Sequence, residues 1–311
     1  MKSAKAGLAV VLFCGLAHTQ EPATLNSDTI FRSDARLVEV HATVFDSKGH
    51  LLTDLQANAF RIYENDVPQA IKFFRREDAP VSLGLIIDNS ASMLLRRAQV
   101  NAAALDLVRS SNKDDEVFVM TFNDKVQLVQ DLTHSVGQLE KSLSSIDSTG
   151  ATAMRDALLL GIDHLKRLAK TDKKVLLVVT DGEDNASVER LDHLVRFAQQ
   201  NGVLIYGIGL LSGEGEKEAA LAKRDLDALT QATGGEVFYP KELSEVDGIA
   251  EYVAHELRSQ YTIAYDPTDQ SQDGKYRRIR VEVNVPGAKV LARTGYYAGP
   301  AADAAPSTNQ L

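Results

Sequence analysis

Three short stretches of the 311-residue chain carry side chains that end in hard oxygen: Asp88-Asn-Ser90-Ala-Ser92, Gly150-Ala-Thr152 and Thr180-Asp181-Gly-Glu-Asp184. Carboxylate and hydroxyl oxygens suit Mg²⁺ or Mn²⁺ and serve zinc or copper poorly. Asp88, Ser90, Ser92, Thr152 and Asp181 would set only two negative charges against a divalent ion. An acidic side chain from outside would then complete its octahedron. Each stretch also has a plainer use. Ser90 and Ser92 suit the cap of a following helix, as does Thr152, and Asp181-Gly182 suits a turn. The readings separate on whether the three stretches reach one place.

The surrounding elements say that they do. Residues 81–87 (VSLGLII) and 175–180 (VLLVVT) are almost uninterrupted apolar runs, as expected of central parallel strands covered on both faces. Asp88 and Asp181 follow directly on those runs, at the carboxyl edge where open α/β sheets bind ligands. Helical patterns over 97–110, 136–145, 153–168, 188–200, 216–233 and 243–258 alternate with strand patterns over 116–122, 203–208 and 237–239. Residues 126–132 read as an edge strand. Such alternation predicts βαβ units and a doubly wound, mostly parallel sheet over 79–258.

The flanks differ. Residues 37–45 alternate, with Val38, Val40, Ala42 and Val44 on one face, and 278–285 alternate likewise. Residues 59–64 and 70–75 read as two short strands around the Asn65-Asp66 turn. A β segment at 33–78 and another at 259–298 are therefore expected to pair into a small sandwich, since domain termini lie close together. Residues 299–311 have no core-forming pattern and read as a disordered tail.

Residues 1–20 read as a signal peptide: Lys2 and Lys5 precede an apolar stretch over 6–17 that is too short for a membrane span. This predicts a periplasmic or extracellular protein, with lipid anchoring through Cys14 as the minor alternative. Cys14 is the only cysteine, so no internal disulfide can form. The net charge of −9 excludes a general nucleic-acid binder.

In order and spacing, Asp88-x-Ser90-x-Ser92, Thr152 and Asp181 resemble the metal-ion-dependent adhesion site (MIDAS) of von Willebrand factor A (VWA) domains, over roughly residues 81–258. The resemblance implies that Ser90, Ser92 and Thr152 contact the metal and that Asp88 and Asp181 bind it directly or through water. It implies Mg²⁺, with Mn²⁺ or Ca²⁺ as alternatives, and a partner carboxylate at the open position. Ala91 and Ala151 stand where that family commonly has glycine. Neither supplies a ligand atom, so they bear on loop shape alone. Val67-Pro-Gln, Arg258-Ser-Gln-Tyr261, Asp273-Gly-Lys-Tyr-Arg277 and Gly295-Tyr-Tyr297 are similar to the layout of exported bacterial "VWFA-related" proteins.

Other motifs carry less. Gly207-Ile-Gly209 lacks the third glycine of a dinucleotide loop. The seven histidines are scattered and read mostly as surface or boundary residues. Asp266, Asp269 and Asp273 match a calcium loop only loosely, and Glu183 and Asp184 read as solvated. The expected function is a metal-dependent protein-binding module, not an enzyme. Alternatives are an envelope scaffold with a vestigial metal site, or a metal-assisted hydrolase or phosphotransferase. An aspartyl-phosphate enzyme would need a second Asp where Ser90 stands.

Overall fold

The computed structural model describes residues 37–76, 78–110, 112–143, 149–212 and 215–299. The expected signal segment with Cys14, and the tail from 300 onward, lie outside the described residues.

In chain order come β1 (Val38–Phe45), β2 (Phe60–Glu64), β3 (Val67–Gln69), β4 (Ile71–Arg75), β5 (Val81–Asp88), α1 (Arg97–Ser110), β6 (Glu116–Phe122), β7 (Val126–Thr133), α2 (Val136–Leu143) and α3 (Met154–Leu168). Then follow β8 (Lys173–Thr180), α4 (Leu191–Asn201), β9 (Val203–Gly209), α5 (Glu216–Thr233), β10 (Val237–Phe238), α6 (Val246–Ser259), β11 (Tyr261–Tyr265), β12 (Tyr276–Val283), β13 (Lys289–Ala292) and β14 (Gly295–Tyr297).

The central sheet runs β10-β9-β8-β5-β6-β7, parallel except for β7. Every residue of β5 is buried, so both its faces must be apolar and no period of two is visible there. On one face Leu85, Ile87 and Leu177 meet Leu107 of α1 and Val253 of α6. On the other, Ile86 and Leu176 meet Ile162 of α3, Phe197 of α4 and Leu226 of α5. From β5 the chain winds to one side through β6 and β7, then returns to lay β8 on the other. The strand order therefore reverses between β5 and β8, and their carboxyl ends open the crevice where such sheets take ligands. At the sheet's two ends, β7 slips register twice along β6, and β10 is only 2 residues long.

The flanking segments pair with each other. One antiparallel sheet runs β13-β1-β11-β4 and the other β14-β12-β2-β3. They enclose Val40, Val44, Phe60, Ile62, Ile263 and Ile279, the buried side of the alternation read from the sequence. A buried polar seam joins this sandwich to the α/β body. Glu256 of α6 accepts the Thr43 hydroxyl of β1 at 2.8 Å and the Tyr206 hydroxyl of β9 at 2.9 Å. Gln260 donates to both hydroxyl oxygens, at 3.1 and 2.9 Å.

Two expectations need correction. The Asn65-Asp66 turn joins β2 to β3, whereas β4 crosses to the other sheet beside β11. Its φ values of 47° and 67° make the tight left-handed hairpin turn that Asn and Asp tolerate. β3 is three residues long and contains Pro68, too little to show a period. The helix expected from 188 begins only at Leu191. Carboxylates hold the preceding N–H groups in a loop: Asp184 takes that of Ser187, and Asp156 takes those of Val188 and Glu189.

Candidate metal centre

β5 ends on Asp88 and β8 on Thr180, side by side at the reversal in strand order. The Ser90 N–H donates to Asp88 Oδ1 at 2.8 Å, and the Thr180 hydroxyl donates to Oδ2 at 2.6 Å. Ser90 Oγ stands 3.0 Å from Ser92 Oγ, which donates to Asp181 Oδ1 at 2.8 Å. Three of the five expected residues, Ser90, Ser92 and Asp181, thus form one run of oxygens, and Asp88 joins it through the Ser90 N–H.

Thr152 is placed by its backbone. Its N–H donates to Asn185 Oδ1 at 3.0 Å, and its carbonyl accepts the N–H groups of Asn185 and Ala186, both at 3.1 Å. On the other side Thr149 N–H reaches the Asn89 carbonyl at 3.0 Å, and Ala91 N–H reaches the Gly150 carbonyl at 3.3 Å. The threonine loop is therefore pinned between the loops after β5 and β8. The helix-cap readings do not hold. Ser90 precedes the 3-10 turn Ala91–Leu95 without a side-chain cap bond, and Ala153, not Thr152, precedes α3.

Asp88 is 2% exposed and Asp181 is fully buried. Burial pushes the Asp88 carboxyl up to about 6, the Thr180 hydroxyl and Ser90 N–H pull it back, and the Asp181 charge adds to the rise. Two acids out of water call for a cation. The chain supplies one. Arg96 pairs with Asp181 through Nη1, and its Nη2 donates to the Ser212 carbonyl at 2.9 Å. The next residue, Arg97, donates to Asn89 Oδ1. Sequence reasoning missed Arg96, although a signal existed. Two consecutive arginines at the start of α1 run against the helix dipole, which disfavours cations there.

Two further readings change, and a third gains a physical reason. Asp184 is buried rather than solvated, bound to Arg155 of α3 at 3.1 Å. His41 and His164 are buried rather than peripheral, the latter 2.9 Å from Asp131. In the loose calcium loop, Arg277 engages Asp269 at 2.9 Å and Asp273 at 3.1 Å, so the loop carries its own cation. Among the described residues no three His, Cys, Asp or Glu side chains group so as to hold a metal. A cation at the carboxyl edge would therefore depend on hydroxyl oxygen as well as carboxylate.

Residues 83–183 match the family model described as von Willebrand factor type A domain. That stretch, about a third of the chain, includes all five oxygen-bearing positions. A von Willebrand factor type A domain is therefore part of this protein. The chain is similar in structure to a von Willebrand factor type A protein from Catenulispora acidiphila, with TM-score 0.51, 13% identity, and coverage of 88% of this chain and 76% of that one. It is also similar to proximal thread matrix protein 1 from the mussel byssus, with TM-score 0.50, 20% identity, and coverage of 62% and 49%. At such identities the likeness is one of fold. By sequence it is 26% identical to the human collagen alpha-1(VI) chain over 194 residues, 52% of this chain and 18% of that one. The chain spans about half or less of the length of the curated relatives it matches. Among the described residues no helix is long and apolar enough to cross a membrane.

Proposed function

We propose that this protein is an exported binding module in which a divalent cation, Mg²⁺ or in its place Mn²⁺ or Ca²⁺, receives an acidic side chain from a partner protein. The observation that carries the reading is the run Ser90–Ser92–Asp181, with oxygens 3.0 and 2.8 Å apart. An octahedron with metal–oxygen bonds of about 2.0–2.1 Å has edges of about 2.9 Å. The oxygens therefore already stand at the separation of an octahedral edge. Ser90, Ser92 and Thr152 are the direct ligands in this reading, and Asp88 and Asp181 bind directly or through water.

The surroundings support binding rather than catalysis. Leu94 and Leu95 follow Ser92 by two and three residues and are 62% and 91% exposed, apolar side chains that the fold leaves to solvent. The relatives include a collagen chain and a thread matrix protein, which agrees with an interaction role. Ser90 stands where an aspartyl-phosphate enzyme would carry its second acid. Export rests on the apolar segment at 6–17.

The test is thermal unfolding of the chain with Mg²⁺ or Mn²⁺ against EDTA. A cation at a hundred times its Kd should add about 2.7 kcal/mol of stability. Asp88→Ala should abolish that increment. Equal melting with and without cation sinks the reading. It would favour a metal-free scaffold, the alternative that Arg96 itself recommends by already serving Asp181 with positive charge. A pull-down from envelope extract in Mg²⁺ or EDTA then identifies the partner.

A further inference from the structure

The oxygens at the carboxyl edge are not waiting without a cation. Arg96 belongs to no ligand set, yet its guanidinium pairs with Asp181, the same carboxylate that receives the Ser92 hydroxyl on its other oxygen. It is held from a second side by the Ser212 carbonyl, 2.9 Å from Nη2, in the loop after β9. Asp181 is fully buried, whereas the Arg96 side chain is 23% exposed and opens to solvent. The carboxylate is thus fixed and the arginine has somewhere to go.

We infer that Arg96 is a built-in competitor for the divalent cation, a resident charge that holds Asp181 in the metal-free protein and must yield it when metal binds. This rests on the metal-binding reading above. A guanidinium on one carboxylate oxygen and a divalent ion at the other would be two cations a few ångströms apart, little screened beside the fully buried Asp181, and their repulsion opposes joint occupancy. Before metal arrives, the arginine relieves the cost of a buried acid. The site is therefore set for weaker metal affinity than its oxygens alone would give, and it responds to changes in cation concentration.

The experiment measures Mn²⁺ binding to the whole chain by the loss of the free-ion electron paramagnetic resonance signal. Wild type is compared with Arg96→Gln and Arg96→Lys, each checked for folding by circular dichroism. Competition predicts that Arg96→Gln binds Mn²⁺ at least about tenfold more tightly, while Arg96→Lys, which keeps the charge, falls nearer to wild type than Arg96→Gln does. In EDTA, Arg96→Gln should melt below wild type, and saturating Mn²⁺ should remove or reverse the difference. Equal affinities in wild type and Arg96→Gln overturn the inference, because Asp181 then serves both cations at once. Weaker binding by Arg96→Gln overturns it too, and makes Arg96 a residue that positions Asp181. No Mn²⁺ binding by any variant defeats the metal reading itself, an outcome distinct from the other two.

Discussion

Asp88 sits where water cannot solvate its charge, and it has consequences without any metal. Its carboxyl is raised from the ordinary 3.8 to about 6, chiefly by burial. Between those values the folded chain keeps a proton that the unfolded chain releases, so the Asp88 contribution to stability falls as pH rises from about 4 to 6 and is level above. Asp88→Asn keeps an acceptor for the Ser90 N–H and removes the buried charge. In EDTA at pH 7 it should be more stable than wild type by about 2–3 kcal/mol, while losing cation-dependent stabilisation. Urea midpoints at pH 4.5 and 7 check this, and a less stable Asp88→Asn at pH 7 would refute it. The five oxygen-bearing residues were legible because each follows or precedes a recognisable element. Arg96 was legible only as a charge set against the helix dipole, since a guanidinium reaches far and nothing in local spacing says where it ends.

At the scale of elements, the site depends on how the loop before α3 turns. Gly150 has φ of 88°, and a Cβ there would lie 2.4 Å from Asp124 Oδ1. Gly150→Ala should cost about 1–2 kcal/mol and weaken cation binding by displacing Thr152, which calorimetry and Mn²⁺ titration would read separately. Leu95→Ala should leave the melting temperature unchanged, within about 0.5 kcal/mol, because the side chain supports nothing in the fold. A clear loss of stability would show that Leu95 is packed after all. Strands β5 and β8 were plain in the sequence because burial on two faces leaves long apolar runs. β3 was invisible at three residues, and the start of α4 was misplaced because Asp156, some thirty residues earlier, captures its backbone.

For the whole molecule, the seam under the sheet matters as much as the edge above it. Glu256 is fully buried, and its carboxyl is pushed up to about 7 by burial, with the Thr43 and Tyr206 hydroxyls pulling down and Glu236 pushing up. Its sign is that of Asp88: stability is lost as pH rises from about 4.5 to 7. Lys173 works in the other direction, lowered to about 8 by burial, so its contribution recovers as pH rises from about 8 towards its usual range. Over pH 5.5 to 7.5 Glu256 lowers urea resistance while the buried, neutral His41 raises it, so Glu256→Gln should show a more positive slope of urea resistance against pH than wild type. A slope unchanged in the variant would place its source elsewhere. The pairing of the two flanks was readable from matching alternation, but the seam was not, because Thr43, Tyr206, Glu256 and Gln260 are brought together only by folding. The slipped register of β7 and the brevity of β10 bear on aggregation. A neighbouring copy seeking a backbone ladder to extend finds an irregular rail at one end of the central sheet and almost none at the other. Zipper-like growth into fibrils through that sheet is thus discouraged, and assembly is left to side chains.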